Sequence, residues 1–356
     1  MLQNNQINTI DKHLSNQVHT RATLCQYDKE QIERVNLALN LDAIKMQLNQ
    51  RENNWIHVTG LNNTQFINAL CYGLGVHSLV AEDIINTKQR VKAESYDGYL
   101  FVVLRAIKRS SKQSQIQYKQ ISFILMPKLL ISFTSEPLML FDSINERMKK
   151  IHSKIRALNV DYLLYAMMDT LVDDYMIMTE KKGDILDRLE SKMIKDPTKT
   201  SLESIYKFRR ELLYLRRHMQ AFRDLVGMLY NERPQYEVAD PYASESVISQ
   251  ALITYLQDLY DHTFRTLEAV DIYRDITREM LELYMNSMNH KMNQRINILT
   301  IFSTIFIPLT FITGIFGMNF RVIPGLNSSF GFFVTVGVMF MISIVLLVIF
   351  KLRKWF

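Results

Sequence analysis

Residues 296–320 read INILTIFSTIFIPLTFITGIFGMNF and residues 322–350 read VIPGLNSSFGFFVTVGVMFMISIVLLVIF, with Arg321 between them. From Arg295 to Lys351 that arginine is the one interior charge. A helix needs about 20 apolar residues to cross a hydrocarbon core of ~30 Å, and each run is long enough. The pattern therefore predicts a C-terminal transmembrane hairpin. Lys291 and Arg295 precede the first run, and Lys351, Arg353 and Lys354 follow the second. By the positive-inside bias both ends of the hairpin are expected in the cytoplasm, which leaves residues 320–329 as a short external loop. Residues 1–20 are rich in Asn and Gln, with Asp11 among them, and do not read as a cationic leader with an apolar centre. The N-terminal bulk is expected to stay inside.

With 356 residues the chain has room for a globular domain and a helical region besides the hairpin. Its formal charge of +6 is modest, and bases alternate with acids along the helices, a solvated-face pattern that argues against a nucleic-acid footprint. Cys25 and Cys71 fall in segments expected in the cytosol, so buried free thiols are expected and a disulfide is not. An enzyme is disfavoured, because the chain has no glycine-rich phosphate loop, no nucleophile elbow and no His-Glu-x-x-His motif. Glu82-Asp83 is an isolated acidic pair, read as a helix start. No cofactor is expected.

Residues 1–50 form a polar segment with little period, fraying before a strand or helix near Asn36 to Met46. Trp55 to Thr59 reads as a strand stopped by Gly60, and Asn63 or Thr64 caps a helix to about Tyr72. Residues 99–107, 116–125 and 129–134 are strand-like, so residues 51–142 are assigned to an α/β domain. Helices are predicted at 142–156, 160–195 and 200–231, with Pro197, Pro234 and Pro241 as breaks in a helical region spanning 143–241. A further helix from Ala243 meets no proline until Pro308, so a stalk over 242–319 is expected to continue into the first span. A helix of about 70 residues would extend ~105 Å. The second span is placed at 330–350 and a basic tail at 351–356. Two apolar stripes, Leu252, Leu256, Leu259, Leu267, Val270 and Leu202, Ile205, Leu212, Leu215, Met219, read first as intramolecular core. The fold class is thus an α+β cytoplasmic domain, then long helices, then the hairpin.

Leu299-Thr300, Ile307 to Gly314 and Gly317-Met318-Asn319-Phe320 resemble the CorA family of divalent-cation channels. Upstream, residues 55–61, Glu82-Asp83-Ile84 and Lys92-Ala93-Glu94 are similar to that family's cytoplasmic domain, so the resemblance covers about residues 55–356. It implies a funnel-shaped homopentamer in the cell membrane, with the first span lining the pore, passive Mg2+ uptake and a ring of Asn319 side chains at the outer mouth. Carried along the pore helix, it places Asn293, Leu299, Ile307, Thr310 and Gly314 on the conduction path. It also implies an inter-subunit regulatory acid at Asp258, where intracellular Mg2+ would hold the closed state.

The residue chemistry suits this reading. Mg2+ keeps its waters, and neutral amides accept hydrogen bonds from a hydrated ion without trapping it. Taken alone, Asn319 is as well explained as a helix C-cap. Gly317 is expected to permit the turn out of the helix, and Met318 to pack under it. Hydroxyls on membrane helices often bond their own backbone, and among Thr300, Ser303, Thr304, Thr310 and Thr313 the pore-facing choice is Thr310. Rings of Ile307 and Leu299 would narrow the path enough to gate by dewetting. The acids Asp261, Glu268, Asp271, Asp275, Glu279 and Glu282 accompany Asp258, and pairing with Arg265, Arg274 and Arg278 on a solvated face is an equally good account of them. The loop departs from the acidic loop of many members: it reads Arg321-Val322-Ile323-Pro324-Gly325-Leu326-Asn327, and Ile-Pro-Gly resembles the ZntB branch, linked to Zn2+. No histidine lies between Arg295 and Phe356, so no tight zinc site is encoded there. Two alternatives remain open: transport of Zn2+, Co2+ or Ni2+ by the same architecture, and a non-conducting membrane-tethered scaffold.

Overall fold

The computed structural model describes residues 18–48, 52–108, 116–195, 199–231, 247–319, 323–325 and 329–353. The chain divides into two compact units, residues 1–189 with 204–277, and residues 190–203 with 278–356.

The first unit is built on one seven-stranded sheet of order β2-β1-β3-β7-β6-β5-β4. Its strands are β1 (Arg21–Tyr27), β2 (Ile32–Leu37), β3 (Asn53–Thr59), β4 (Lys92–Tyr96), β5 (Tyr99–Lys108), β6 (Gln117–Met126) and β7 (Leu129–Thr134). β3 and β7 run parallel, with Trp55 opposite Leu130 and His57 opposite Ser132. The other neighbours are antiparallel. Along β5 the two-residue period sends Leu100, Val102, Leu104 and Ala106 into one core and Tyr99, Phe101 and Val103 into the other. Helices α1 (Leu41–Gln47), α2 (Thr64–Gly73) and α3 (Ser78–Ile85) cover the second face through Ile44, Ile67, Leu70, Val80 and Ile84. The first face is covered by α4 (Met139–Lys149), α5 (Lys154–Ala157) and parts of α6 (Val160–Lys195), α7 (Lys199–Asn231) and α8 (Ile253–Phe316). A sheet buried on both faces needs near-continuous apolar strands, which β5, β6 and β7 supply.

Several expectations are corrected. The polar segment read as having little period holds β1 and β2 ahead of α1, which falls where a strand or helix was expected near Asn36 to Met46, and β1 is a buried strand between β2 and β3. β4 and α3 were not anticipated. The helix expected over 142–156 is two helices, interrupted at 150–153. Glu82 and Asp83 lie in the last turn of α3, not at a helix start, and Asp83 is engaged by Lys92 at 2.6 Å and Gln89 at 2.6 Å. The strands expected at 55–59, 99–107, 116–125 and 129–134 and the helices at 160–195 and 200–231 are present. Gly60 ends β3 at φ +82, where an added Cβ would lie 2.6 Å from the Val18 carbonyl oxygen. Asn63 caps α2 by accepting from Phe66 N at 3.0 Å. Pro197, Pro234 and Pro241 lie outside the described residues, as do Arg321 and Lys354.

Both thiols are free and buried. Burial pushes the Cys71 thiol up to about 12, so it is inert at neutral pH. Leu256, Leu259 and Val270 on α8 and Leu212, Leu215 and Met219 on α7 are fully buried within the chain, which settles those stripes as core.

In the second unit, Met193, Met280 and Tyr284 are buried, whereas the described apolar stretch of α8 holds no buried residue and α9 (Gly331–Leu352) holds Phe350 alone. Both helices are long and apolar enough to cross a membrane. Helices apolar all round need lipid or further protein about them.

Candidate functional site

The predicted stripe lies on one continuous helix, which runs through Pro308 without a break. Proline has no N–H, so the carbonyl of Thr304 loses its usual partner. Asn293, Thr310 and Gly314 are exposed, and Leu299 and Ile307 are 67% and 66% exposed. Among the described residues no hydrogen bond holds the side chain of Asn293 or Thr310. The hydroxyls divide into two sets. Thr300 donates to the Ile296 carbonyl at 2.8 Å and Thr313 to the Thr310 carbonyl at 3.0 Å, so both are spent on their own helix. The hydroxyls of Ser303, Thr304 and Thr310 make no hydrogen bond among the described residues.

Helix α8 closes at Phe316. Gly317 N donates to the carbonyls of Thr313 at 3.0 Å and Gly314 at 3.2 Å, and Met318 N donates to Ile315 at 3.2 Å. Asn319 follows outside the helix, with an exposed side chain. The expected reason for Gly317 is corrected: its φ is not positive, and an added Cβ would sit at an ordinary 3.4 Å from the Thr313 carbonyl oxygen. Met318 is 48% exposed and does not pack under the turn as expected. The end of the helix is thus a small, open surface that presents one carboxamide.

Asp258 belongs to the first unit. Its Oδ1 lies 3.7 Å from His262 Nε2, one turn on, and its side chain is 62% exposed. Two acids that the sequence reading did not single out share its surroundings, Asp169 and Asp173 on α6. Burial raises the Asp169 carboxyl above its usual range, with like charge from Asp173 and then Asp258 adding to the rise and Arg147 and His262 opposing it. Burial also raises Asp173, against His262 and Arg147. The signal was available: Asp169 and Asp173 stand at i,i+4, where like charges repel. His262 Nδ1 has no hydrogen-bond partner among the described residues. Carboxylate oxygens held against their own repulsion suit a hard cation, but among the described residues no three His, Cys, Asp or Glu side chains of one chain converge as a metal site. One chain therefore offers an incomplete set of donors.

Two of the other predicted acids, Asp271 and Asp275, are paired within the chain. Asp271 accepts from Arg216 Nε at 2.6 Å and pairs with Arg274 at 3.2 Å, and Asp275 lies 3.7 Å from Arg274. In the loop between α8 and α9, Ile323, Pro324 and Gly325 are described, with Gly325 at φ +91.

Comparison with known proteins gives a consistent set of likenesses. A family described as CorA-like Mg2+ transporter protein matches residues 50–354. The cobalt/magnesium transport protein CorA of Thermotoga maritima is 35% identical over 301 residues, 85% of this chain and 83% of that protein. The zinc transport protein ZntB of Yersinia enterocolitica is 27% identical over 256 residues, 71% of this chain and 73% of that one. The complete structure of the CorA magnesium transporter from Methanocaldococcus jannaschii superposes with a TM-score of 0.77 at 20% identity, covering 95% of this chain and 100% of that one, a likeness of fold.

Proposed function

Because this chain belongs to the CorA-like Mg2+ transporter protein family, we propose that it carries divalent cations across the cell membrane as a passive channel, with Mg2+ as its principal cargo. The coarse statement, a CorA-type divalent-cation transporter and not an enzyme, follows from membership. The finer reading is carried by one observation: the helix that bears the outward-facing stripe ends just before Gly317-Met318, and Asn319 follows with an exposed side chain that has no partner among the described residues.

In this reading copies of the chain form a homopentamer and their α8 helices surround the path. The Asn319 carboxamides accept hydrogen bonds from the water shell of the entering ion, and their neutrality lets it leave. Below them Gly314 leaves width, Thr310 offers a free hydroxyl, and Ile307 and Leu299 narrow the path with apolar rings. Asn293 receives the ion at the inner end. The small surface at Gly317, not demanded by its own backbone, fits a crowded ring of copies.

An inside-negative potential of 100 mV is worth ~2.3 kcal/mol per charge, hence ~4.6 kcal/mol for a divalent ion, so entry needs no fuel and does need a gate. Asp258, with Asp169 and Asp173 beside it, supplies oxygen donors for a regulatory Mg2+, and the set would be completed by a neighbouring copy. Bound there, the cation neutralises acids that repel one another and holds the closed arrangement until intracellular Mg2+ falls. Both termini lie in the cytoplasm.

A second reading, Zn2+ as cargo, is favoured by the likeness to ZntB and by the Ile323-Pro324-Gly325 loop. Purified protein in vesicles decides between them. Mg2+ influx that exceeds Zn2+ influx and is lost or made unselective in Asn319→Ala supports the proposal. Unaltered flux in that variant refutes the carboxamide ring.

A further inference from the structure

Helices α6 and α7 each keep an outward-facing stripe that the transport reading does not use. On α6, Ile177, Glu180, Asp184 and Asp187 recur every three or four residues and are all exposed, so they lie on one face. On α7, Tyr206, Arg210, Leu213, Tyr214 and Arg217 do the same, with Tyr206 at 51%, Leu213 at 48% and Tyr214 at 50% exposure. One stripe is acidic around an isoleucine and the other basic around aromatic and aliphatic side chains. Among the described residues Glu180, Asp184, Asp187, Arg210 and Arg217 have no ion-pair partner.

The two stripes also stand level. Lys182 on α6 pairs with Glu211 on α7, both largely buried. Tyr118 stacks on Tyr175 of α6 at 6.3 Å and lies against His218 of α7 at 4.1 Å. Residues 182 and 211, and 175 and 218, are therefore paired in height, as two antiparallel helices require. On that scale Asp187 is level with Tyr206, Asp184 with Arg210, Glu180 with Leu213 and Ile177 with Arg217.

We infer that the acidic face of α6 docks on the basic face of α7 of the next copy of the chain, head to tail around the ring. The inference rests on the ring-assembly reading above and names a contact within it. Two different patches meeting is the heterologous arrangement that closes a cyclic oligomer. A rotation about an axis running along the helix pair preserves height, so Asp184 meets Arg210 of the next copy without any slide. Ile177 and Glu180 meet Leu213, Tyr214 and Arg217, which gives an apolar centre between charged contacts. Such a contact steers and registers assembly more than it binds, and it weakens with salt.

The test uses full-length protein, with Asp184→Cys on one tagged chain and Arg210→Cys on a differently tagged one, co-expressed and mildly oxidised. The native thiols are buried and do not interfere. Disulfide geometry requires Cα atoms within about 7 Å. The expected result is a cross-linked heterodimer, absent when either variant is expressed alone, in particles whose mass by native mass spectrometry is that of an oligomer. An oligomer without the cross-link overturns the docking contact and leaves the ring reading standing. A monomer overturns both. In the same protein, Glu180→Arg with Asp184→Arg is expected to speed subunit exchange by about tenfold, and adding Arg210→Glu with Arg217→Glu to restore it. Restoration failing while the quadruple variant is folded and oligomeric also overturns the contact.

Discussion

Gly183 on α6 lies beneath Tyr273 on α8, and a methyl group there is the sharpest available probe of how that long helix is seated in the first unit. A Cβ built on Gly183 falls 2.6 Å from Tyr273 Oη and 3.1 Å from Cζ, against an ordinary contact of 3.4 Å or more. The phenol must retreat by several tenths of an ångström, which in a packed interface costs ~1–3 kcal/mol. Replacing a mid-helix glycine by alanine returns ~1 kcal/mol of propensity. Gly183→Ala is therefore expected to destabilise the chain by ~0–2 kcal/mol despite the better helix former. Tyr273→Phe deletes the oxygen responsible for the closest approach, so in that background the same substitution should become neutral or stabilising by up to ~1 kcal/mol. Thermal and denaturant unfolding of the four proteins in detergent, followed by intrinsic fluorescence, closes the cycle, with ~2–4 °C expected per kcal/mol for a unit of this size. Additivity within ~0.5 kcal/mol, or a Gly183→Ala chain more stable than its parent, would refute the seating argument.

Lys182 and Glu211 form a largely buried pair, so Lys182→Met, which strands the carboxylate, is expected to cost ~3–5 kcal/mol, and Lys182→Met with Glu211→Leu much less; equal losses in denaturant titration would contradict this. Burial holds His57 and His218 at about 4 rather than the free 6.5. The unfolded chain then takes up protons that the folded chain refuses, so stability is full above pH 6.5 and is lost as pH falls from 6.5 through 4, at up to ~1.4 kcal/mol per pH unit for each ring. Unfolding midpoints against pH should flatten in that window for His57→Gln and His218→Gln, and an unchanged slope would count against buried neutral imidazoles. Thr310→Val should lower divalent flux in vesicles at least several-fold, while Thr300→Val and Thr313→Val, whose hydroxyls serve their own backbone, should leave it within about twofold. Equal effects at the three sites would remove Thr310 from the path.

Much of the architecture was legible because it depends on one-dimensional patterns. Strand β7 falls on the predicted residues 129–134 since six apolar or small residues lie between a turn at Pro127-Lys128 and the Pro137 break. The two long apolar helices were legible for the same reason: a charge-free run long enough to cross lipid is visible without any partner. Less was legible where partners decide. β1 and β2 carry Thr23, Gln26, Arg34 and Asn36 and look like loop, yet β1 is buried because β2 and β3 flank it and two helical layers close over it. Gln26, which reads as polar surface, is 3% exposed and bonds Asn54 at 2.8 Å. Nothing local announces that Trp55 Nε1 donates to Ser132 Oγ at 2.9 Å while His57 takes the same oxygen at 2.8 Å and Thr59 at 2.8 Å.

At the candidate site the division is the same. The motif at 317–319 could be read from residue identity, and with it the likeness to the family, which in turn implied the stripe along α8. Which hydroxyls are spent, that Gly317 is not needed for its own turn, and that Asp169 and Asp173 stand beside Asp258 came only from three dimensions. The amino-acid order alone specified two helices apolar and long enough to cross a membrane, the helical periods and the carboxamide after α8, because hydropathy and periodicity act along the chain. Tertiary structure decided the strand order, the buried polar groups and the company of Asp258, because those depend on contacts between segments far apart in sequence, and no local preference encodes which segments meet.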